Sequence, residues 1–332
     1  MALNIVTAAQ PMRIENLIVF IYGDPGIGKT SLAFSAKKPI LFDFDRGAHR
    51  AGKFRKDTVP VSCWADVATI SKEDLEGYDT IVIDTAGRML DVIISDLVKD
   101  QKNCRKNSKE LAIQGYGALN KRFSSWLNLI RSFGKDVVLL AHAAEDKKGE
   151  ELIIRPDMVG GSKKEAYKVA DMMGYMTTTQ GVEGAETSLN FSPSTSHHAK
   201  DSGAIGNIIL QDLDKNPHAL ADIIAQAKEH INHLSEAQAS AQLELEAYRD
   251  DCMTAEYASD LNQLREALPM AHIYLKEMRQ ALDLAFKSLG DKVIFENDAF
   301  IAQDELFSAD FIADTPADLD VTQQFINHET AA

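Results

Sequence analysis

Residues 23–30 read Gly-Asp-Pro-Gly-Ile-Gly-Lys-Thr, and this run constrains the fold more tightly than any other part of the chain. Gly23, Gly28, Lys29 and Thr30 satisfy the spacing of a phosphate-binding loop. Leu17 to Tyr22 (Leu-Ile-Val-Phe-Ile-Tyr) precede it and have the unbroken apolar character of a strand covered on both faces. Thr30 to Lys37 read as the first turns of a helix that must stop before Pro39. Glycines let the backbone close around phosphate oxygens, a helix start supplies N–H donors, and the lysine adds a full positive charge. Gly23, Asp24, Pro25, Gly26, Ile27, Gly28, Lys29, Thr30 and Ser31 are therefore the candidate residues around a nucleoside triphosphate.

A strand leading into a glycine loop and a helix is one unit of an alternating fold, and the pattern repeats. Residues 39–44, 79–84 and 136–141 read as apolar strands, with helical patterns at 86–100 and 115–133. Further strands are expected near 173–179, 187–192 and 205–210. Such alternation predicts an α/β fold with a mostly parallel sheet covered by helices. Beyond residue 216 the character turns helical. Leu275, Met278, Leu282, Ala285 and Leu289 recur at helical spacing, and Leu261, Leu264 and Leu268 mark an earlier helix. After Lys292 nine acidic residues and no basic one appear, with Phe300, Phe307, Phe311 and Phe325 between them. The expected organisation is a nucleotide-binding core over 1–215, a helical extension over 216–292, and an acidic, partly flexible tail over 293–332.

Charge follows the same division. Residues 1–210 carry 27 Lys and Arg against 26 Asp and Glu, whereas 211–332 carry 8 against 24. The core is close to neutral, and the net charge of −15 belongs to the C-terminal third. Cys63, Cys104 and Cys252 are scattered, without metal-ligand spacing, which fits a reducing cytoplasm. No apolar run approaches membrane-spanning length, and the N-terminus lacks the order of a signal peptide.

Asp84 ends the strand Thr80–Asp84, where a carboxylate can accept a hydrogen bond from magnesium-bound water while the Thr30 hydroxyl ligates the ion. Asp43 and Asp45 end the strand that starts at Ile40. Alternation would let both face the ligand crevice and polarise an attacking water, or both could belong to a polar turn with Arg46 and Gly47. His142 follows Val137–Ala141 and stands either as a γ-phosphate sensor or as a structural histidine. Lys99, Lys102, Arg105, Lys106 and Lys109 form a basic segment, open to two readings: a solvated helical face or a mobile loop that neutralises phosphates of single-stranded DNA, with Tyr116 as the nearest stacking aromatic. A glycine-containing loop from Lys147 to Lys164 is expected to supply a second DNA or subunit contact.

Gly23–Ser31, Leu41–Asp45, Tyr78–Thr85, Gln114–Trp126 and Val137–His142, taken in order, resemble the RecA-like ATPases, in particular bacteriophage nucleotide-binding or AAA-domain proteins that include single-strand annealing ATPases of the Sak type. The resemblance covers roughly residues 15–210. It implies ATP with Mg2+, Asp45 in the place of the catalytic acid (glutamate in RecA itself), His142 as sensor at the head of a second DNA-binding loop, and 99–109 as the first such loop. It also implies Lys29, Asp45, Asp84 and His142 as the catalytic set, and single-stranded DNA, further copies of the chain in an oligomer or filament, and a single-strand binding protein as partners. Lys200 is a candidate for reaching a neighbour's γ-phosphate, or is an ordinary surface lysine. The function so implied is ATP-driven annealing or strand exchange. The alternative is an ATP-gated assembly or loading factor acting on protein partners in phage DNA replication.

Overall fold

The apolar run before the phosphate loop forms strand β1 (Ile18–Gly23), buried at every position. Its side chains alternate between two cores. Ile18, Phe20 and Tyr22 enter one, and Val19 and Ile21 enter the other with Leu17. A strand with both faces covered has no polar side to spare, which is why its sequence is continuously apolar. The computed structural model describes residues 3, 5–106, 108–148, 151–181 and 184–303.

From β1 the chain enters α1 (Lys29–Ala33), then β2 (Pro39–Asp43) and β3 (Thr58–Pro60). It continues through β4 (Thr80–Asp84), α2 (Ala86–Leu97), α3 (Ile113–Ser132), β5 (Asp136–Lys148) and β6 (Glu151–Pro156). Next come α4 (Gly161–Val169), β7 (Met172–Gly181), β8 (Gly184–Asn190), β9 (Lys200–Asp201) and β10 (Asn207–Ile209). The strands lie in the order β10-β8-β7-β1-β5-β4-β2-β3, with β6 pairing β5 and β9 pairing β7. The six from β7 to β3 run parallel, and β6, β8, β9 and β10 are antiparallel additions. One strand, β5, separates β1 from β4. This is the expected α/β core with a mostly parallel sheet, with α2 and α3 on one face of the sheet and α1 with the start of α5 (Ala219–Thr254) on the other.

Two expectations for this core are corrected. The helix after the phosphate loop stops at Ala33 rather than Lys37, because the chain must reverse into β2 and does so through Lys38 at φ 40°. The segment 147–160 is no open loop. β5 runs on past residue 141, and β6 pairs with it from Ala143↔Pro156 to Lys148↔Glu151. The apolar run Leu152-Ile153-Ile154 supplies that strand, and Ile154 is also tied by backbone bonds to Ser196 and His198.

The chain divides into two compact units, one of them Arg13–His233 and the other drawing on residues before Arg13 and after His233. Where the sequence suggests a boundary at 215, the division falls inside α5. Leu220, Ile223, Ile224 and Ala227 of that helix belong to the sheet's second core, so residues 216–233 are part of the first unit. The second unit contains the rest of α5, α6 (Ala258–Glu266), α7 (Leu275–Leu289) and a hairpin of β11 (Val293–Glu296) and β12 (Ala299–Ala302). The helical stripe is packing surface, with Leu261, Met278, Leu282 and Ala285 buried. Val293 and Phe300 are buried with them, so the first ten residues of the acidic tail are a folded hairpin. Phe307, Phe311 and Phe325 lie outside the described residues.

Candidate nucleotide-binding site

The carboxyl ends of β1, β2 and β4, with the middle of β5 beside them, bring Lys29, Thr30, Asp45, Asp84 and His142 together. Gly26 and Gly28 adopt φ of 81° and 100°, the left-handed region that glycine enters without strain, and the space where their Cβ atoms would stand is open or nearly so. Gly23 is needed for a different reason. A Cβ there would stand 2.3 Å from the Met176 carbonyl oxygen on β7. Lys29 Nζ donates to the Gly23 and Asp24 carbonyls at 2.9 and 2.8 Å, so the ammonium lies inside the loop. Burial lowers its pKa to about 8, against the opposing pull of Asp84, Asp24 and Asp45.

The Thr30 hydroxyl donates to Asp84 Oδ2 at 2.7 Å. Burial pushes the Asp84 carboxyl up to about 6, helped by Asp43 and Asp45 and opposed by Thr30 and Lys29. A hydroxyl and a carboxylate this close fit a small hard cation such as Mg2+, which takes one or two protein oxygens and fills its remaining positions with water and phosphate. Ser31 stands next in α1 and lines a cavity of about 330 Å³ with Phe34, Phe54, Leu213, Pro217 and His218.

The two aspartates after β2 separate. Asp43 accepts from the Gly47 and Ala48 backbone amides at 2.9 and 3.0 Å, so this buried carboxylate builds the turn and is spent there. Phe44 and Asp45 both donate their amides to the Asp84 carbonyl, which carries Asp45 over the end of β4. The Asp45 carboxylate accepts from Arg50 Nη2 at 2.5 Å and from Arg88 Nε at 3.4 Å. Neither arginine is evident as a site residue from the sequence. The only local signal is that Arg88 falls in the first turn after the Asp84 motif.

His142 pairs with Gly23 in the β1–β5 register, which sets it beside the phosphate loop. Its Nδ1 is buried and makes no hydrogen bond among the described residues. Its pKa is lowered first by burial and then by the Lys29 charge, so at neutral pH the ring is uncharged and offers one donor and one acceptor.

The basic segment follows α2. Lys99 pairs with Asp96 at 2.9 Å, Lys102 with Asp100 at 2.7 Å and Arg105 with Glu110 at 3.1 Å, while Lys106 and Lys109 have no acidic partner among the described residues. At the start of α3, Ile113 is 87% exposed and Tyr116 is partly exposed. Tyr116 lies near Gly160 at the entrance to α4. Lys200 is away from the phosphate end of the sheet within its own chain. It pairs with Met173 and its Nζ donates to the Ala170 carbonyl at 2.6 Å.

Residues 15–202 match a protein family described as an AAA domain. The chain is 26% identical over 154 residues to the SPbeta prophage-derived uncharacterized protein YorG of Bacillus subtilis (strain 168), a match covering 41% of this chain and 44% of that one. The chain thus spans less than half the length of that relative. Among solved structures it is similar to the KaiC-like protein PH0186 of Pyrococcus horikoshii OT3, at 12% identity and a TM-score of 0.35, covering 60% of this chain and 91% of that one. It is also similar to the RadB recombinase, at 14% identity and a TM-score of 0.34, covering 54% and 84%. Among the described residues no helix is long and apolar enough to cross a membrane.

Proposed function

The chain belongs to the AAA domain family, and from that premise we propose that it is an Mg2+-dependent ATPase that binds single-stranded DNA and promotes annealing or strand exchange. The observation that carries the ATPase reading is the convergence of Lys29, Thr30, Asp84 and Asp45 at the carboxyl ends of β1, β2 and β4, with His142 of β5 level with Gly23. Lys29 releases the loop carbonyls and takes phosphate oxygens, an exchange that a triphosphate favours because the buried ammonium gains a charged partner. Thr30 and Asp84 would hold the magnesium ion, which neutralises phosphate charge when bound. Asp45 accepts a proton from the attacking water as the bond to the γ-phosphorus forms and ADP departs with the bridging oxygen. His142, uncharged and with a free ring nitrogen, orients that water or a γ-phosphate oxygen. The cavity beside Ser31, with Phe54 and His218 in its lining, takes the base.

DNA binding is supported by the charge and chemistry of one surface. Lys106 and Lys109 would contact phosphates, and Ile113 and Tyr116 present apolar and aromatic area to unstacked bases. Lys99, Lys102 and Arg105 join them by exchanging acidic neighbours for phosphates. Similarity to a prophage-derived protein fits a role in phage DNA metabolism, with further copies of the chain and a single-strand binding protein as partners. A second reading, an ATP-gated loading factor for protein partners, is favoured by the separate core and strong acidity of the C-terminal unit.

Hydrolysis by wild type and Lys29→Ala, with and without single-stranded DNA at two salt concentrations, tests both. Stimulation by DNA that weakens steeply with salt and vanishes with Lys29→Ala supports the recombination reading. Turnover indifferent to DNA at either salt favours the loading factor.

A further inference from the structure

Asp45 is restrained by two arginines. Both of its carboxylate oxygens accept from guanidinium groups, Oδ2 from Arg50 and Oδ1 from Arg88. Each oxygen can accept a second hydrogen bond, but two guanidinium charges oppose the pull of the carboxylate on a water proton, and that pull strengthens when one arginine leaves. The two contacts are unequal. Arg50 Nη2 is 2.5 Å from its oxygen, while Arg88 Nε is 3.4 Å away and its Nη1 is shared with Asp91 at 3.1 Å. The two arginine side chains are similarly exposed, 62% for Arg50 and 58% for Arg88, so the longer distance and the sharing with Asp91 make Arg88 the weaker contact.

Arg88 also sits where a γ-phosphate would be felt. It is in the first turn of α2, four residues beyond Asp84, and its charge reaches His142 together with that of Lys29. Guanidinium–phosphate pairs are charge-assisted and often bidentate, stronger than a single contact of 3.4 Å to a carboxylate.

We propose that Arg88 is a further catalytic residue, which leaves Asp45 for the γ-phosphate oxygens of bound ATP and thereby frees Asp45 Oδ1 for the attacking water while Arg50 keeps the carboxylate oriented. The proposal rests on the ATPase reading above. In the step itself water oxygen bonds to the γ-phosphorus, the bond from phosphorus to the bridging oxygen breaks with its electron pair going to ADP, and the water proton passes to Asp45. Arg88 neutralises charge on the transferring group. One residue thus reports the γ-phosphate and releases the base, so ADP, which lacks that group, leaves Asp45 restrained.

The test is equilibrium binding of ADP and of the non-hydrolysable analogue AMP-PNP, with single-turnover ATP hydrolysis, for wild type, Arg88→Ala and Arg88→Lys. The expected result for Arg88→Ala is a loss of about 10–100-fold in AMP-PNP affinity with ADP affinity within about twofold of wild type, and hydrolysis slowed by about 100-fold or more. Arg88→Lys should recover part of the analogue affinity, and it keeps the question answerable if the alanine variant folds poorly. A residue that only restrained Asp45 would give the opposite result, with faster hydrolysis in Arg88→Ala and no change in the ratio of the two affinities. That outcome overturns the proposal and leaves the ATPase reading standing. Wild-type protein that binds neither nucleotide overturns both.

Discussion

At the scale of the residue, Asp84, which we propose would hold magnesium, shows what a buried carboxyl costs. Burial, with Asp43 and Asp45 nearby, moves its carboxyl up to about 6, so the folded protein holds this proton more tightly than the unfolded chain does. A folded-state pKa above the unfolded one contributes stability that is complete below the ordinary carboxylate range and is lost as pH rises through about 6. Asp84→Asn should therefore stabilise the nucleotide-free protein at pH 7 by about 1–3 kcal/mol, with the gain gone at pH 4. Thermal melts of both proteins at the two pH values check this. An equal gain at both would mean that packing rather than charge is responsible. The same variant should lose hydrolysis, since the carboxylate that would hold magnesium is gone.

At the scale of the element, β1 joins two requirements in one strand. Its side chains must be apolar on both faces, and its last residue must let β7 approach as the chain turns into the phosphate loop. Gly23 meets the second requirement, because any Cβ there would run into backbone rather than a side chain that could move aside. Gly23→Ala should cost about 1–3 kcal/mol by forcing β1 and β7 apart, and should weaken nucleotide binding besides. Denaturant titration with and without ADP separates the two effects. β1, β2, β4 and the start of β5 were legible because parallel strands buried on both faces have an apolar signature that neighbouring elements do not mimic. β6 was not, since its short apolar run lies among Lys and Glu and is a strand only because β5 extends alongside it.

For the whole molecule, the acidic and helical C-terminal third has a core of its own around Leu245, Tyr248, Leu261, Leu282 and Phe300. The two cores of Arg13–His233 lie elsewhere in the chain. Calorimetric unfolding should accordingly show two transitions, and only that of the nucleotide-binding unit should rise with added ADP. At 100 times the dissociation constant the rise corresponds to about 2.7 kcal/mol. A single transition that moves as a whole would show that α5, which passes through the division, makes the two units unfold together.

The sequence alone determined that a glycine loop would sit between a buried strand and a helix, that Asp84 ends a strand, and that the sheet is largely parallel. Each of these is written in local residue order: glycine spacing, an apolar run, a carboxylate at a strand end. Only the tertiary structure decided how Asp43 and Asp45 differ. Strand alternation would treat them alike, yet β2 ends at Asp43 and the turn through Arg46, at φ 54°, spends the first carboxylate on backbone amides and leaves the second to Arg50 and Arg88. Arg88 and Asp45 are 43 positions apart, and their contact exists because β2 and β4 lie side by side. Alternation governs side-chain direction only while a strand lasts, so the chemistry placed just beyond the strand ends is set by how the chain turns and which strand is next to it.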